Sequence, residues 1–300
     1  MATRRDLVDD TRYGQLVVPR RTPSRIGPFA SLVARYLILG VLSLLFMFPF
    51  YIIVRNALLT QAEITGFDWV WWPESPQWSN FTDLFGNSQT RMASGLRVSA
   101  IVAITTLIMQ TLFASMAGYA LARIPFRGRE LFFSFVLLTL MIPGAVTFVP
   151  TYVVVAELGG INTLWGIIVP GLFSGFATFL FRQFYLDFPS ELEEAGRLDG
   201  NSYIGVYFRL LLPNSLGIMA ALGVLSFIGS WNAFLWPVIV GQSPETRTVQ
   251  VVLSTFLTAQ TINLPALFAG AAVGAAPLVI VFLLLQRYIV QGVRMSGIKG

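Results

Sequence analysis

Apolar residues fall into six windows that contain no Asp, Glu, Lys or Arg: 36–54, 98–122, 131–156, 158–181, 210–244 and 248–286. Each is at least 19 residues long, and a helix needs about 20 residues to cross the hydrocarbon of a bilayer. No water reaches backbone groups there, so such runs read as helices and not as open strands. The pattern predicts six transmembrane helices. Two windows overshoot a single crossing, and Pro and Asn trim them. Pro213 and Asn214 open the fifth helix, which reaches about Pro237 or Ile239. Asn263 caps the sixth ahead of Pro265, and that helix runs to Leu285. The remainder, 240–262, is an external connection, and its portion 249–260, VQVVLSTFLTAQ, suits a short helix at the membrane interface.

Basic residues set the orientation. With the N-terminus inside, the cytoplasmic segments hold 16 of the 20 Lys and Arg residues, leaving Arg55, Arg91, Arg97 and Arg247 outside. Positive charge concentrates on the cytoplasmic side, so both termini are expected in the cytoplasm of a multi-pass protein in a prokaryotic plasma membrane. The expected organisation is a cytoplasmic arm, 1–30, a six-helix domain, 31–289, that carries a cytoplasmic loop at 183–213, and a cytoplasmic tail, 290–300. The arm has arginines but no apolar stretch behind them, which argues against a cleavable signal peptide.

Composition agrees with this: 55% of the 300 residues are hydrophobic, 12% are charged, and the mean hydropathy is +0.69. The sequence pI near 9.8 follows from the topology, with no need for a nucleic-acid partner. Absent residue types narrow the chemistry further. There is no Cys and no His, which excludes thiolate and imidazole catalysis and the usual zinc sites. The sole lysine is Lys299, so no GxxxxGK[ST] phosphate loop exists in the chain. The spans hold no ionisable group of the kind that relays protons in coupled carriers. Uphill movement of a solute would therefore draw its energy from a partner.

One hydrophilic stretch stands out. Residues 191–200, ELEEAGRLDG, put four acids into ten positions between the fourth and fifth windows. Ser190 followed by Glu193 fits a capping box, so a helix should begin at Ser190. Leu192, Ala195 and Leu198 share a face, Glu191, Glu193 and Glu194 lie where the helix dipole favours negative charge, and Asp199-Gly200 ends the helix. Asn201-Ser202 caps a second helix, Tyr203 to Leu212, closed by Pro213. A solvated acidic loop would have the same charge pattern. The small pair Ala195-Gly196 argues for more, because Gly in a helix costs about 1 kcal/mol relative to Ala and permits close approach by another backbone.

Glu194-Ala195-Gly196, Asp199-Gly200 and Leu212-Pro213 resemble the E-A-A, D-G, L-P signature of ABC importer permeases. WNAFLWPVIV at 231–240, QRYIVQGVRMSGIKG at 286–300 and GYALARIPFRGRE at 118–130 resemble segments of the maltose-type sugar permeases, in the same order along the chain. Gly196 stands for the second alanine and Asn201 for the usual alanine after D-G. The resemblance implies an all-α type I importer permease fold and a transport subunit that is not an enzyme. It also implies a homologous second permease, two ATPase subunits that bind ATP and Mg, and an external substrate-binding protein. The loop 190–213 then serves as coupling helix, with Glu193, Glu194, Ala195, Gly196, Asp199 and Gly200 at the ATPase. The 240–262 loop is expected to touch the binding protein, and Lys299 and Gly300 to approach the ATPases.

Trp231, Asn232 and Phe234 are candidates for a sugar pathway, as is Trp236, since sugars stack on aromatic faces. Helix packing and an outer aromatic belt are the alternative for the aromatics, and for Asn232 bonding between two helices is favoured over contact with substrate. WVWWPESPQW, 69–78, reads as an interfacial anchor. Gly171-x-x-x-Gly175 and Gly270-x-x-x-Gly274 suggest close helix crossings. A stand-alone secondary carrier and an enzyme acting on lipid-linked sugars are the competing readings.

Overall fold

A computed structural model describes residues 28–86, 91–257 and 262–296, with side chains described as far as Arg287. The chain divides into two units, Met1–Phe50 and Tyr51–Gly300. The described part of the first is a single helical stretch, the beginning of α1 (Pro28–Ala57). In the second unit follow α2 (Gln61–Thr65), α3 (Ser79–Gly86), α4 (Met92–Arg123), α5 (Arg129–Met141), α6 (Gly144–Glu157) and α7 (Leu164–Ile168). Beyond a 3₁₀ turn come α8 (Gly175–Leu186), α9 (Ser190–Leu198) and α10 (Tyr203–Val206). After a π turn come α11 (Leu212–Asn214), α12 (Leu216–Trp231), α13 (Leu235–Val240), α14 (Val249–Ser254) and α15 (Leu264–Ser296).

Three stretches, Phe29–Ala57, Met92–Arg123 and Leu264–Arg287, are continuous helices long and apolar enough to cross a membrane. Three bent pairs also qualify by length and apolarity: α5 with α6 at 103°, α7 with α8 at 44°, and α12 at 78° to the α10–α11 segment that leads into it. Counting each pair as one span gives six. The expectation of six spans is met, but half of them are broken. The first break falls at Pro143, which disfavours helical geometry in the residue before it and caps α6 in extended conformation. The fifth crossing ends at Trp231 instead of Pro237: Asn232 takes the cap, and α13 restarts at Leu235.

α4 is the axle of the second unit. Its buried residues meet α8 on one side and α12 and α14 on others, around three apolar clusters. The α4/α8 crossing is closest at Gly118, where a β-carbon would lie 2.5 Å from Cβ of Phe181 and 2.8 Å from the Arg182 nitrogen. At the adjoining end of α8, Arg182 donates to both Glu130 oxygens at 3.1 and 3.2 Å and stacks over Phe133, fastening α5 to α8.

Within 249–260 the helix is α14, six residues long; residues 258–260 lie outside those described. It is packed into the protein and not laid on its surface. Val249, Val251 and Val252 are buried, and Gly95, Gly270 and Gly274 face them and Leu253 at close range. The Gly270/Gly274 pair thus marks a true close packing, as expected. Gly171 and Gly175 do not share a helix face: Gly175 abuts Thr139, while Gly171 sits in the turn with open space beside it. Asn263 caps α15 through its side chain, accepting from the Ala266 amide at 3.1 Å, and the helix runs past Leu285 to Ser296. In the 69–78 stretch the tryptophans are exposed, and Arg55 stacks over Trp69 and bonds the Val70 carbonyl. Residues 1–27 of the expected arm, and Lys299 and Gly300, lie outside the described residues.

Candidate functional site: the α9–α11 hairpin and the cavity at the helix breaks

α9 begins at Ser190 as expected, but the capping box is absent. Pro189 occupies the cap, and no side chain bonds the first turn. Glu193 has been recruited elsewhere. It is 8% exposed, accepts from the Tyr119 hydroxyl at 3.3 Å and lies 3.8 Å from Arg123. The same Arg123 donates to the carbonyl of Tyr185 at 2.8 Å and to that of Phe188. A carboxylate with a hydroxyl and a guanidinium on offer gains more there than from a solvated backbone amide.

The expected apolar face is also turned around. Leu192, Ala195 and Leu198 are exposed together with Glu191, Glu194, Arg197, Asp199 and Gly200, and only Glu193 and Gly196 are buried. Gly196 accounts for the close approach: a β-carbon would meet Leu210 Cδ1 at 2.5 Å, so the glycine admits the second limb of the hairpin. Glu194 is in no ion pair with any described residue. Asp199 closes α9, and Gly200 turns the chain at φ +84°.

Asn201 then ties the hairpin, donating to the Gly196 carbonyl at 3.0 Å and accepting from Arg209 at 2.8 Å. Ser202 caps α10 by accepting from the Gly205 amide. The second limb does not stop at Leu212. A π turn over Tyr207–Leu211 shifts the register so that Pro213 falls in the first turn of α11, where its missing N–H costs nothing. The bend comes at Ser215, whose hydroxyl donates to the Leu211 carbonyl at 2.6 Å. Behind the hairpin, Tyr207 donates to Ser115, and Ser115 and Tyr185 share a bond of 2.7 Å.

A second feature lies where the broken helices meet. A cavity of about 490 Å³ is bordered by Gly144 at the start of α6, Pro170 and Gly171 before α8, and Ala233, Trp236 and Pro237 after α12. Thr106, Gln110, Thr147, Thr151, Ser226 and Ser230 give it a wall of hydroxyls and one amide, and Phe148 meets Trp236 edge to face at 5.6 Å. Gln110 braces the wall, donating to the Gly171 carbonyl and accepting from Ser226, both at 2.5 Å. No Asp, Glu, Lys or Arg is among the lining residues. Irregular backbone at membrane depth is tolerated where it lines such a cavity.

The sequence-based pathway residues are split by this geometry. Trp231 is 2% exposed, stacks on Phe227 and donates to the Gly274 carbonyl at 2.9 Å, a helix-packing role. Asn232 is exposed and accepts from Gln250 at 3.3 Å, and Phe234 is exposed at the break. Neither lines the cavity, whereas Trp236 does. Sequence reasoning missed Gln110 and the cavity hydroxyls. A glutamine in the middle of an uncharged window was the available signal.

A helical membrane bundle with breaks around a polar cavity and a hairpin at one end defines a transport subunit. The chain belongs to the family described as binding-protein-dependent transport system inner membrane component, whose profile matches residues 110–295. It is 38% identical over 202 residues to the arabinooligosaccharides transport system permease protein AraQ of Halalkalibacterium halodurans, covering 67% of this chain and 72% of the relative. The Bacillus subtilis protein of the same name is 32% identical over 270 residues, covering 89% and 96%. The sn-glycerol-3-phosphate transport system permease protein UgpE of Pectobacterium atrosepticum is 32% identical over 262 residues, covering 85% and 92%. The fold matches, at a TM-score of 0.77 and 19% identity over 86% of this chain and 96% of the other, a solved bacterial ABC transporter involved in import of the acidic polysaccharide alginate. The chain is therefore a multi-pass permease subunit of an ABC importer, in a family that works with a separate ATPase and a substrate-binding protein. The secondary-carrier and enzyme readings fall with that assignment.

Proposed function

We propose that this chain is the permease subunit of an importer for a neutral sugar. It forms half of the pathway beside a homologous permease, and two ATPase subunits drive it from the cytoplasmic side, where both termini lie. α9 is the ATPase contact. The observation that carries this reading is the division of α9 into two edges. Glu193 and Gly196 are committed to the interior, while Glu191, Glu194, Leu192 and Leu198 stand exposed with two carboxylates and two leucines free to meet a partner. An exposed leucine at 89% beside unpaired acids suits a socket that combines basic and apolar groups. Glu194 heads the contact; Ala195 and Gly196 keep the helix slim, and Asp199-Gly200 sets the angle of the second limb.

The solute class rests on the cavity and on the relatives. Hydroxyl and amide groups beside an aromatic pair suit a polyhydroxylated ligand, and a wall without ionisable side chains favours a neutral sugar, as in the names of the AraQ proteins, over a phosphate ester. Two measurements test the reading. Glu194→Lys should insert normally in the membrane yet fail to copurify the ATPase; an intact, transporting complex would refute the docking role. ATP hydrolysis by the assembled complex with its binding protein should rise with arabinose oligomers or similar neutral sugars. Stimulation by sn-glycerol 3-phosphate alone would reverse the assignment of solute class.

A further inference from the structure

We infer that Glu193, Tyr119 and Arg123 form a buried latch that makes α4 a third arm of the hairpin, carrying movement of α9 straight to the cavity. The inference rests on the ATPase contact proposed above. By connectivity the hairpin is joined only to α8 and α12, and both routes are interrupted on the way to the cavity. The route through α12 turns 78° at Ser215, and that through α8 meets the 44° break before it. α4 is unbroken from Met92 to Arg123. Tyr119 and Gln110 are nine residues apart on it, about 14 Å at the rise of an α-helix, and Gln110 bonds both the Gly171 turn and Ser226 of α12.

The second limb of the hairpin meets α4 through apolar groups, Tyr207 stacking on Tyr119 at 5.4 Å, but α9 itself reaches α4 through a charged group where an apolar one would dock more cheaply. Of the two residues α9 buries, Gly196 packs inside the hairpin, against Leu210, and Glu193 reaches out of it. Leu192 and Leu198 meanwhile stay exposed. Burying a carboxylate is costly unless it is paired and hydrogen-bonded, and the partners that pair Glu193 also fix where α9 sits. Here the Tyr119 hydroxyl stands 3.3 Å from both Glu193 and the Tyr203 carbonyl, and its single proton is shared between the two limbs of the hairpin, which sets the height of α9 on α4. Arg123 binds Glu193 on one side and the end of α8, at Tyr185 and Phe188, on the other. A displacement of α9 therefore moves α4 as a rigid body.

The test needs no knowledge of the solute. The chain has no Cys, so Thr151→Cys places one thiol on the cavity wall. Its labelling by a maleimide is followed in the reconstituted full complex, nucleotide-free and trapped with ATP and vanadate. With Glu193 intact the labelling rate should differ about tenfold between states, within the range of a typical coupling free energy. With Glu193→Ala the complex should retain its ATPase and hydrolyse ATP while that difference shrinks below about twofold. Glu193→Gln, which still accepts from Tyr119, should restore most of it. An unchanged difference in Glu193→Ala overturns the latch, and so does loss of the ATPase from that variant, which would make Glu193 a docking contact. Should Glu193→Ala not fold, Tyr119→Phe and Glu193→Gln are combined: a double variant no worse than the poorer single one supports the latch, and additive losses overturn it. Failure of the underlying proposal is separately visible as a Glu194→Lys complex that keeps its ATPase.

Discussion

The same substitution at two glycines should have opposite outcomes, decided by what each new methyl meets. At Gly118 an added β-carbon sits 2.5 Å from Phe181 Cβ and 2.8 Å from the Arg182 nitrogen. Both belong to the rigid part of α8, so no side-chain rotation relieves the clash and the two helices must part. At Gly196 the closest atom, at 2.5 Å, is the Cδ1 tip of Leu210, with Val206 Cγ2 next at 3.5 Å. A leucine tip can move to another rotamer. Alanine gains about 1 kcal/mol over glycine inside a helix, overpacking against fixed atoms costs about 1–3 kcal/mol, and an off-rotamer side chain costs about 0.5–1.5 kcal/mol. Gly196→Ala should then be near neutral, while Gly118→Ala loses up to about 2 kcal/mol net and loosens the α4/α8 crossing beside Tyr119 and Tyr185. Thermal unfolding in detergent, followed by tryptophan fluorescence, measures both. The reasoning is refuted if Gly118→Ala melts with the wild type, or if Gly196→Ala is the more damaging of the two.

Further expectations follow from other contacts. Trp231→Phe keeps the stacking on Phe227 but leaves the Gly274 carbonyl without its donor, so it should cost about 1 kcal/mol in the same melt, with transport by the assembled complex retained. Gln110→Leu removes the brace between Gly171 and Ser226 and one polar group of the cavity; solute-stimulated ATP hydrolysis should fall while the ATPase still copurifies. Arg182→Ala releases Glu130 and uncovers Phe133, and should destabilise the protein more than Arg91→Ala, which breaks an exposed pair with Glu245 at 2.6 Å; paired melts decide this.

What could be read from the sequence depended on how local its cause is. The spans follow from uninterrupted apolar windows, the start of α9 from Pro189-Ser190, the turn at Gly200 from its freedom to take positive φ, and the cap of α15 from Asn263. Each is settled within a few residues. The fate of Glu193 is settled by Tyr119, 74 positions away. The capping-box pattern was correct as a pattern but lost to a buried partner the sequence does not place. Breaks inside windows three and four were hidden for a different reason: hydropathy registers depth in the membrane and is blind to a bend. Pro143 marked one of them. The amphipathic reading of α9 failed in direction: Leu192 and Leu198 are exposed, and the side turned to the protein's own interior carries Glu193 and Gly196, an arrangement the proposed docking role would require.

The central claim, that α9 is where an ATPase takes hold, is tested most directly by cross-linking. Leu198 is 89% exposed on that helix, and the chain offers no competing thiol. In membranes containing the whole transporter, Leu198→Cys carrying a short photoactivatable label should cross-link to the ATPase subunit, and the same label at Phe67→Cys, on the side expected to face outward, should not. A Leu198→Cys label that leaves the ATPase untouched, or reacts with an impermeant thiol reagent applied from outside the cell, would contradict the account.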